Sequence, residues 1–208
     1  MGILKTIFNN TGKPQGLLGK MMVNSMNSGH AGVADWGMSF LDVSAPAFIA
    51  DLGCGGGRNA AKFMEKYPTA KLTALDHSKI SVEKTKRVNQ AAVKSGRCTV
   101  LQGDVSNMPF SDEAFDLVTA FETVYFWPGP EKSFREVCRV LKNGGTFLIV
   151  NESDGENKAD EKWTSMIDGM TIYDARQLTD ALKVAGFAQV DVYRNEKKHW
   201  LCLMARKN

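Results

Sequence analysis

From Ala47 onward, short apolar runs alternate with stretches that read as helices, and this alternation restricts the fold more than any other feature of the chain. The runs are Ala47 to Asp51, Lys71 to Asp76, Cys98 to Gln102, Phe115 to Phe121 and Thr146 to Val150. Arg58 to Tyr67 reads as a helix stopped by Pro68, and Lys79 to Ser95 as a polar-faced helix ended near Gly96. Pro130 to Lys142 reads as a helix with proline at its favoured first position. Phe134, Val137, Cys138 and Leu141 give it one apolar face, and Asn143-Gly144-Gly145 ends it. Strands separated by helices pair in parallel, with helices on both faces of the sheet. The uninterrupted run Phe147 to Val150 fits a strand buried on both sides. The tail is different. Asp174 caps a helix, with Gln177 three residues on and a buried stripe of Leu178, Ala181, Leu182 and Ala185. Gly186 stops that helix, and Phe187 to Arg194 and His199 to Ala205 form a hairpin.

The length of 208 residues allows one domain with decoration. Residues 1–46 form a cap or lid segment rich in Gly, Asn, Ser and Met, in which Leu17, Leu18, Met21, Met22 and Met26 are spaced as a short helix. Residues 47–208 form the main domain, with a lid insert at about 153–172. In that insert Trp163, Met166, Ile167 and Met170 recur as one face of an amphipathic helix. Apolar residues at 43% and charged residues at 24% rule out wholesale disorder. A formal charge of +3 is too small to imply nucleic acid. Cys54, Cys98, Cys138 and Cys202 are too widely spaced for a zinc site, and no metal is expected. No run reaches the roughly 20 apolar residues of a membrane span. Met1 to Asn10 lacks the pattern of a secretory signal, so the expected location is cytoplasmic.

The sharpest chemical signal is Asp51-Leu-Gly-Cys-Gly-Gly-Gly-Arg-Asn-Ala60, a glycine loop at a strand end that opens a helix. A dinucleotide site needs G-x-G-x-x-G. Read from Gly53, the last position falls on Arg58; read from Gly55, it falls on Ala60, a tolerated variant. Asp76 closes the second strand, 25 residues after Asp51, where an acid accepts from both hydroxyls of a ribose. That feature serves any nucleoside cofactor.

With these residues the chain resembles the class I S-adenosylmethionine-dependent methyltransferases. It is most similar to the small-molecule, type 11-like branch typified by ubiquinone and menaquinone C-methyltransferases. The resemblance rests on Asp51 to Gly57, on Leu75-Asp-His-Ser78, on Gln102 to Phe110 with Asp112 to Asp116, and on Arg139 to Leu148, where Asn143 replaces a usual proline. It covers about Phe48 to Ala205 and implies an α/β, Rossmann-like three-layer sandwich. The sheet would be seven-stranded and mostly parallel, with an antiparallel C-terminal hairpin strand. It implies S-adenosyl-L-methionine as methyl donor and S-adenosyl-L-homocysteine as product. The cofactor-binding residues would be Asp51, Gly53, Cys54, Gly55, Gly57, Asp76, His77, Asp104, Val105 and Phe121. In that family the loop backbone passes the methionine moiety and the Asp51 position reaches its amino group. Asp104 accepts from the adenine amine, the Val105 N–H meets a ring nitrogen, and His77 or Met108 flanks the ring.

The acceptor would meet the methyl group beyond the first and fourth strands. Phe121-Glu-Thr-Val124 lacks the Asn/Asp-Pro-Pro-aromatic signature of base-amine methylases, and the chain has no Pro-Cys pair. A small-molecule substrate is therefore expected, and no nucleic acid. Candidate acid–base residues are His30, Glu122 and Tyr125; candidate substrate-lining residues are Trp36, Tyr125, Trp127, Trp163 and Tyr173. The chemistry implied is in-line displacement driven by positioning and desolvation. The alternatives are a non-catalytic protein binding the same cofactor, an RNA methyltransferase or an NAD-dependent oxidoreductase. The assembly would be a monomer or a homodimer.

Overall fold

A computed structural model describes residues 28–208, together with Gly16, Gly19, Met21 and Val23. Of the helix expected from Leu17, Leu18, Met21, Met22 and Met26, all but Met21 lie outside the described residues, as does half of the 1–46 segment.

The apolar runs form one seven-stranded sheet, in the order β3-β2-β1-β4-β5-β7-β6. The strands are β1 Phe48–Leu52, β2 Lys71–Asp76, β3 Cys98–Gln102, β4 Phe115–Phe121, β5 Leu141–Asn151, β6 Phe187–Asn195 and β7 Trp200–Lys207. Pairing is parallel from β3 to β5, and β7 runs antiparallel to both β5 and β6. The expected architecture is therefore present, including the C-terminal hairpin. No helix among the described residues is long and apolar enough to cross a membrane.

Alternate residues of the central strands enter two separate cores. Ala50, Val118, Phe147 and Ile149 face one side, under helices α5 (Pro130–Val140) and α7 (Ala175–Val184). Ile49, Leu117, Leu148 and Val150 face the other, under α1 (Ala31–Met38), α2 (Arg58–Lys66) and α3 (Lys79–Val88). This two-sided burial explains the near-continuous apolar sequence of β4 and β5. The Asp174 capping box starts α7 as its spacing requires, with Asp174 Oδ1 accepting from Gln177 N at 2.8 Å.

Three elements differ from the sequence reading. Lys79 to Ser95 is two helices, α3 and α4 (Gln90–Lys94), parted at Asn89. The buried Asn89 side chain donates to Thr85 O and Gly57 O, both at 3.0 Å, so it ties α3 to the glycine loop instead of extending the helix. The helix from Pro130 ends at Val140, because Leu141 already pairs with Phe115; residues 142–145 then bulge from the ladder before Thr146 pairs with Leu117. The amphipathic helix of the insert shrinks to a 3-10 turn, Lys158–Asp160, and α6, Glu161–Met166. Of its proposed stripe only Ile167 is buried.

Gly57 fixes how closely α2 and α3 approach. Its φ is +81°, and a Cβ there would lie 2.8 Å from Thr85 Cα. Gly57→Ala is expected to destabilise the fold by about 2–4 kcal/mol, from left-handed strain and overpacking. A urea titration followed by circular dichroism measures this as a lower midpoint with unchanged slope.

Candidate functional site

The carboxyl ends of β1, β2, β3 and β4 open onto a cleft of about 440 Å³, at the point where the strand order reverses direction. The glycine loop forms one wall. Gly53 N and Cys54 N both donate to Leu75 O, at 2.7 and 3.1 Å, so the loop is stitched to β2 as it leaves β1. Gly55 has φ +51°, and its N–H donates to Asp76 Oδ2 at 2.9 Å. Asp76 Oδ1 accepts from Ser78 N at 2.8 Å. One buried carboxylate thus holds the loop, the end of β2 and the start of α3 together. Burial raises its pKa, and the two backbone N–H groups and His77 oppose that rise.

The next strand end carries Gly103, Asp104 and Val105, all lining the cleft. Asp104 Oδ1 accepts from Ser106 N at 2.8 Å and shapes the turn after β3. Arg139 braces this turn from α5. Its guanidinium donates to Phe110 O at 2.8 Å, Met108 O at 3.2 Å and Asp112 Oδ1 at 2.8 Å. Glu136, itself bonded to Arg139, accepts from Met108 N at 3.0 Å.

The sequence candidates divide into three groups. Gly53, Cys54, Gly55, Asp76, His77, Asp104, Val105 and Phe121 line the cleft together, as do His30, Glu122 and Trp127. Asp51 and Gly57 stand behind the loop: Gly57 packs on α3, and Asp51 is buried, with Oδ1 accepting from Thr119 Oγ1 at 3.0 Å and Oδ2 without a partner among the described residues. Tyr125, Trp36, Trp163 and Tyr173 are not in the cleft wall. Tyr125 is buried, and its hydroxyl accepts from Ser153 N at 3.0 Å. Trp36 packs on Phe40 and Trp200, Tyr173 on the α5–α7 core, and the Trp163 ring carries the Lys162 ammonium. Among the lining residues that sequence reasoning missed are Arg58 and Asn59, Thr123, and Asp168 with Gly169. Arg58 and Asn59 had a legible signal, since they open the helix that the glycine loop feeds.

At the far end of the cleft Glu122 has φ +57°, rare for a residue with a side chain, and its N–H donates to Val150 O at 2.9 Å. Its Oε1 accepts from the Glu152 N–H. Burial and the neighbouring Glu152 push the Glu122 carboxyl well above the usual range. His30 Nε2 lies 3.7 Å from Glu152 Oε2; burial lowers the imidazole pKa and Glu152 opposes this.

Residues 50–149 match the family model described as Methyltransferase domain. The chain contains a methyltransferase domain of the S-adenosylmethionine-dependent class. It is 32% identical over 146 residues to malonyl-[acyl-carrier protein] O-methyltransferase of Herminiimonas arsenicoxydans, covering 68% of this chain and 53% of that protein. It is 35% identical over 101 residues to cycloartenol-C-24-methyltransferase 1 of Oryza sativa subsp. japonica, covering 49% of this chain and 29% of that one. The chain thus spans about half, or less, of the length of these curated relatives. A methyltransferase solved with the Haloferax volcanii Trm112 activator shares the fold, with a TM-score of 0.78 at 21% identity over 88% of this chain and 92% of that one.

Burial pushes the Asp51 carboxyl up to about 7 from an ordinary 3.8. Between these values the folded protein holds a proton that the unfolded chain has lost, so this group's contribution to stability falls as pH rises through the window. Asp51→Asn removes that dependence. The thermal midpoint of the variant should match the parent near pH 4 and exceed it at pH 8, by several degrees in a scanning calorimeter.

Proposed function

We propose that the chain transfers the methyl group of S-adenosylmethionine to a small-molecule acceptor. The observation that carries this reading is the Asp76 bridge: a carboxylate that fixes the glycine loop at the sheet edge while itself lining the cleft. Its oxygens accept from Gly55 N and Ser78 N and, with the Ser81 side chain beside them, leave acceptor capacity toward the cleft for a ribose hydroxyl. The donor set suits the rest of the cofactor. Asp104 and the Val105 N–H offer an acceptor and a donor side by side for an adenine edge. The glycine wall admits the methionine chain, and the orphaned Asp51 Oδ2 behind it matches an ammonium reached directly or through water.

When bound, S-adenosylmethionine supplies an activated methyl on its sulfonium. The chain's own residues align the acceptor and exclude water. Phe121, Phe126 and Trp127 give the far end aromatic walls, whose faces favour positive charge. His30 and Glu122 are the titratable groups at the acceptor end, whereas Tyr125 is an anchor of the fold. Residues 153–172 act as a lid, reaching the cleft at Asp168 and Gly169, and the 1–46 segment closes the same end through Val23 and His30. A volume of about 440 Å³ fits a cofactor-sized ligand with little space for a polymer.

Calorimetric titration of S-adenosylhomocysteine tests this reading, with NADH as competitor. The expected result is micromolar binding that NADH does not displace. Asp104→Ala, and Gly55→Val at its left-handed φ, should each weaken it by at least about tenfold while the circular dichroism spectrum stays native. Undiminished affinity in both variants would place the cofactor elsewhere, and preferential NADH binding would make the chain an oxidoreductase.

A further inference from the structure

We propose that His30, Glu122 and Glu152 form a site for a first-row divalent transition-metal ion at the acceptor end of the cleft. One ligand atom from each lies within 4.8 Å of the other two. They come from separate parts of the chain: the residue before α1, the residue after β4 and the residue after β5. The sheet holds the two carboxylates in register, because Phe121 pairs with Val150 and the Glu152 N–H binds Glu122 Oε1. His30 is placed by α1, whose Val33, Ala34 and Met38 share the core with Val150.

Among the described residues, no lysine or arginine pairs with either carboxylate. The nearby Arg58 is committed to Asp35 at 2.6 Å. Two carboxylates and a histidine around one point, with no lysine or arginine on them among the described residues, offer a divalent cation one nitrogen and two oxygen donors. Metal–ligand bonds of about 2.0–2.2 Å hold neighbouring ligand atoms roughly 3–4 Å apart, so small side-chain rotations close the trio. One nitrogen and two oxygens favour Mn, Fe, Co or Zn over the all-oxygen cages of Ca and Mg.

Three protein ligands leave coordination positions open toward the cleft, which His30 and Glu122 both line. If the methyl-transfer reading holds, on which this step rests, the acceptor is a hydroxyl or enol. Bound to the ion, it loses its proton to solvent at neutral pH. Its oxygen lone pair forms the new O–CH3 bond, and the S–CH3 electron pair remains on sulfur as neutral S-adenosylhomocysteine.

The test uses the untagged full chain stripped with chelator. Co²⁺ titration is followed by visible absorption and Zn²⁺ titration by calorimetry, with no cofactor present. One equivalent should bind with visible bands in the ligand-field region. Glu152→Gln and His30→Ala, both at partly exposed positions, should weaken binding at least tenfold with the thermal midpoint of the apoprotein retained. No binding at millimolar ion overturns the site, as does unchanged affinity in both variants. S-adenosylhomocysteine binding in chelator is measured in parallel. Its loss with metal binding intact would refute the cofactor reading alone, and the reverse would refute the metal site alone.

Discussion

The Asp76 carboxylate is the interaction on which the site depends. It accepts from Gly55 N and Ser78 N at 2.9 and 2.8 Å, and so joins a loop from β1 to the helix that follows β2. Charge-assisted bonds of this kind contribute about 1.5–3 kcal/mol each. They also offset the burial of the charge, which would otherwise be unfavourable. They add to the bonds that Leu75 O, Thr85 and Asn89 already make to the loop, and so help its left-handed glycines keep one conformation. The same acid therefore does structural and ligand-facing work, and the two roles share a geometry.

A second brace acts on the opposite wall. Arg139 gathers Met108 O, Phe110 O, Asp112 and Glu136, which pins the turn that carries Asp104. In sequence Arg139 belongs to the segment leading into β5 and looks remote from any cofactor. In space that segment and the Asp104 turn form one device. Rigid positioning of such a turn lowers the ordering entropy that any ligand bound there would cost.

Most of the fold was legible because the parallel strands, buried on both faces, must be apolar throughout and the helices must carry one stripe. Legibility failed where a single side chain overrode periodicity. Asn89 breaks a helix because its amide is needed at Gly57, 32 residues away. The cleft wall was legible because Gly55, Asp76 and Asp104 lie at strand ends, whose position in the sheet follows from topology. Asp51 is aimed behind the loop, toward Thr119, which its place at a strand end did not reveal. Glu152 was invisible, because its partners are 30 and 122 residues distant and only the register of β4 against β5 brings them together.

Tyr125 shows why chemical type is a poor guide at the far end of the cleft. A tyrosine beside an acid and two aromatics reads as catalytic. Its hydroxyl instead accepts from Ser153 N, and its carbonyl accepts from Thr171 N at 2.9 Å. Both ends of the 153–171 segment thus hang on one buried residue. That segment has few buried side chains of its own, with Ile167 its apolar anchor. Its start is also tied to the β6–β7 hairpin, where Arg194 pairs with Glu156 and His199 Nδ1 lies 3.1 Å from Asp154 Oδ2, so the part from Glu161 to Met170 is the less restrained. Asp168 and Gly169 lie in that part, over the cleft. These two residues therefore meet the cleft from a segment held at few points, whereas the glycine loop is bonded to β2, to Asp76 and to α3.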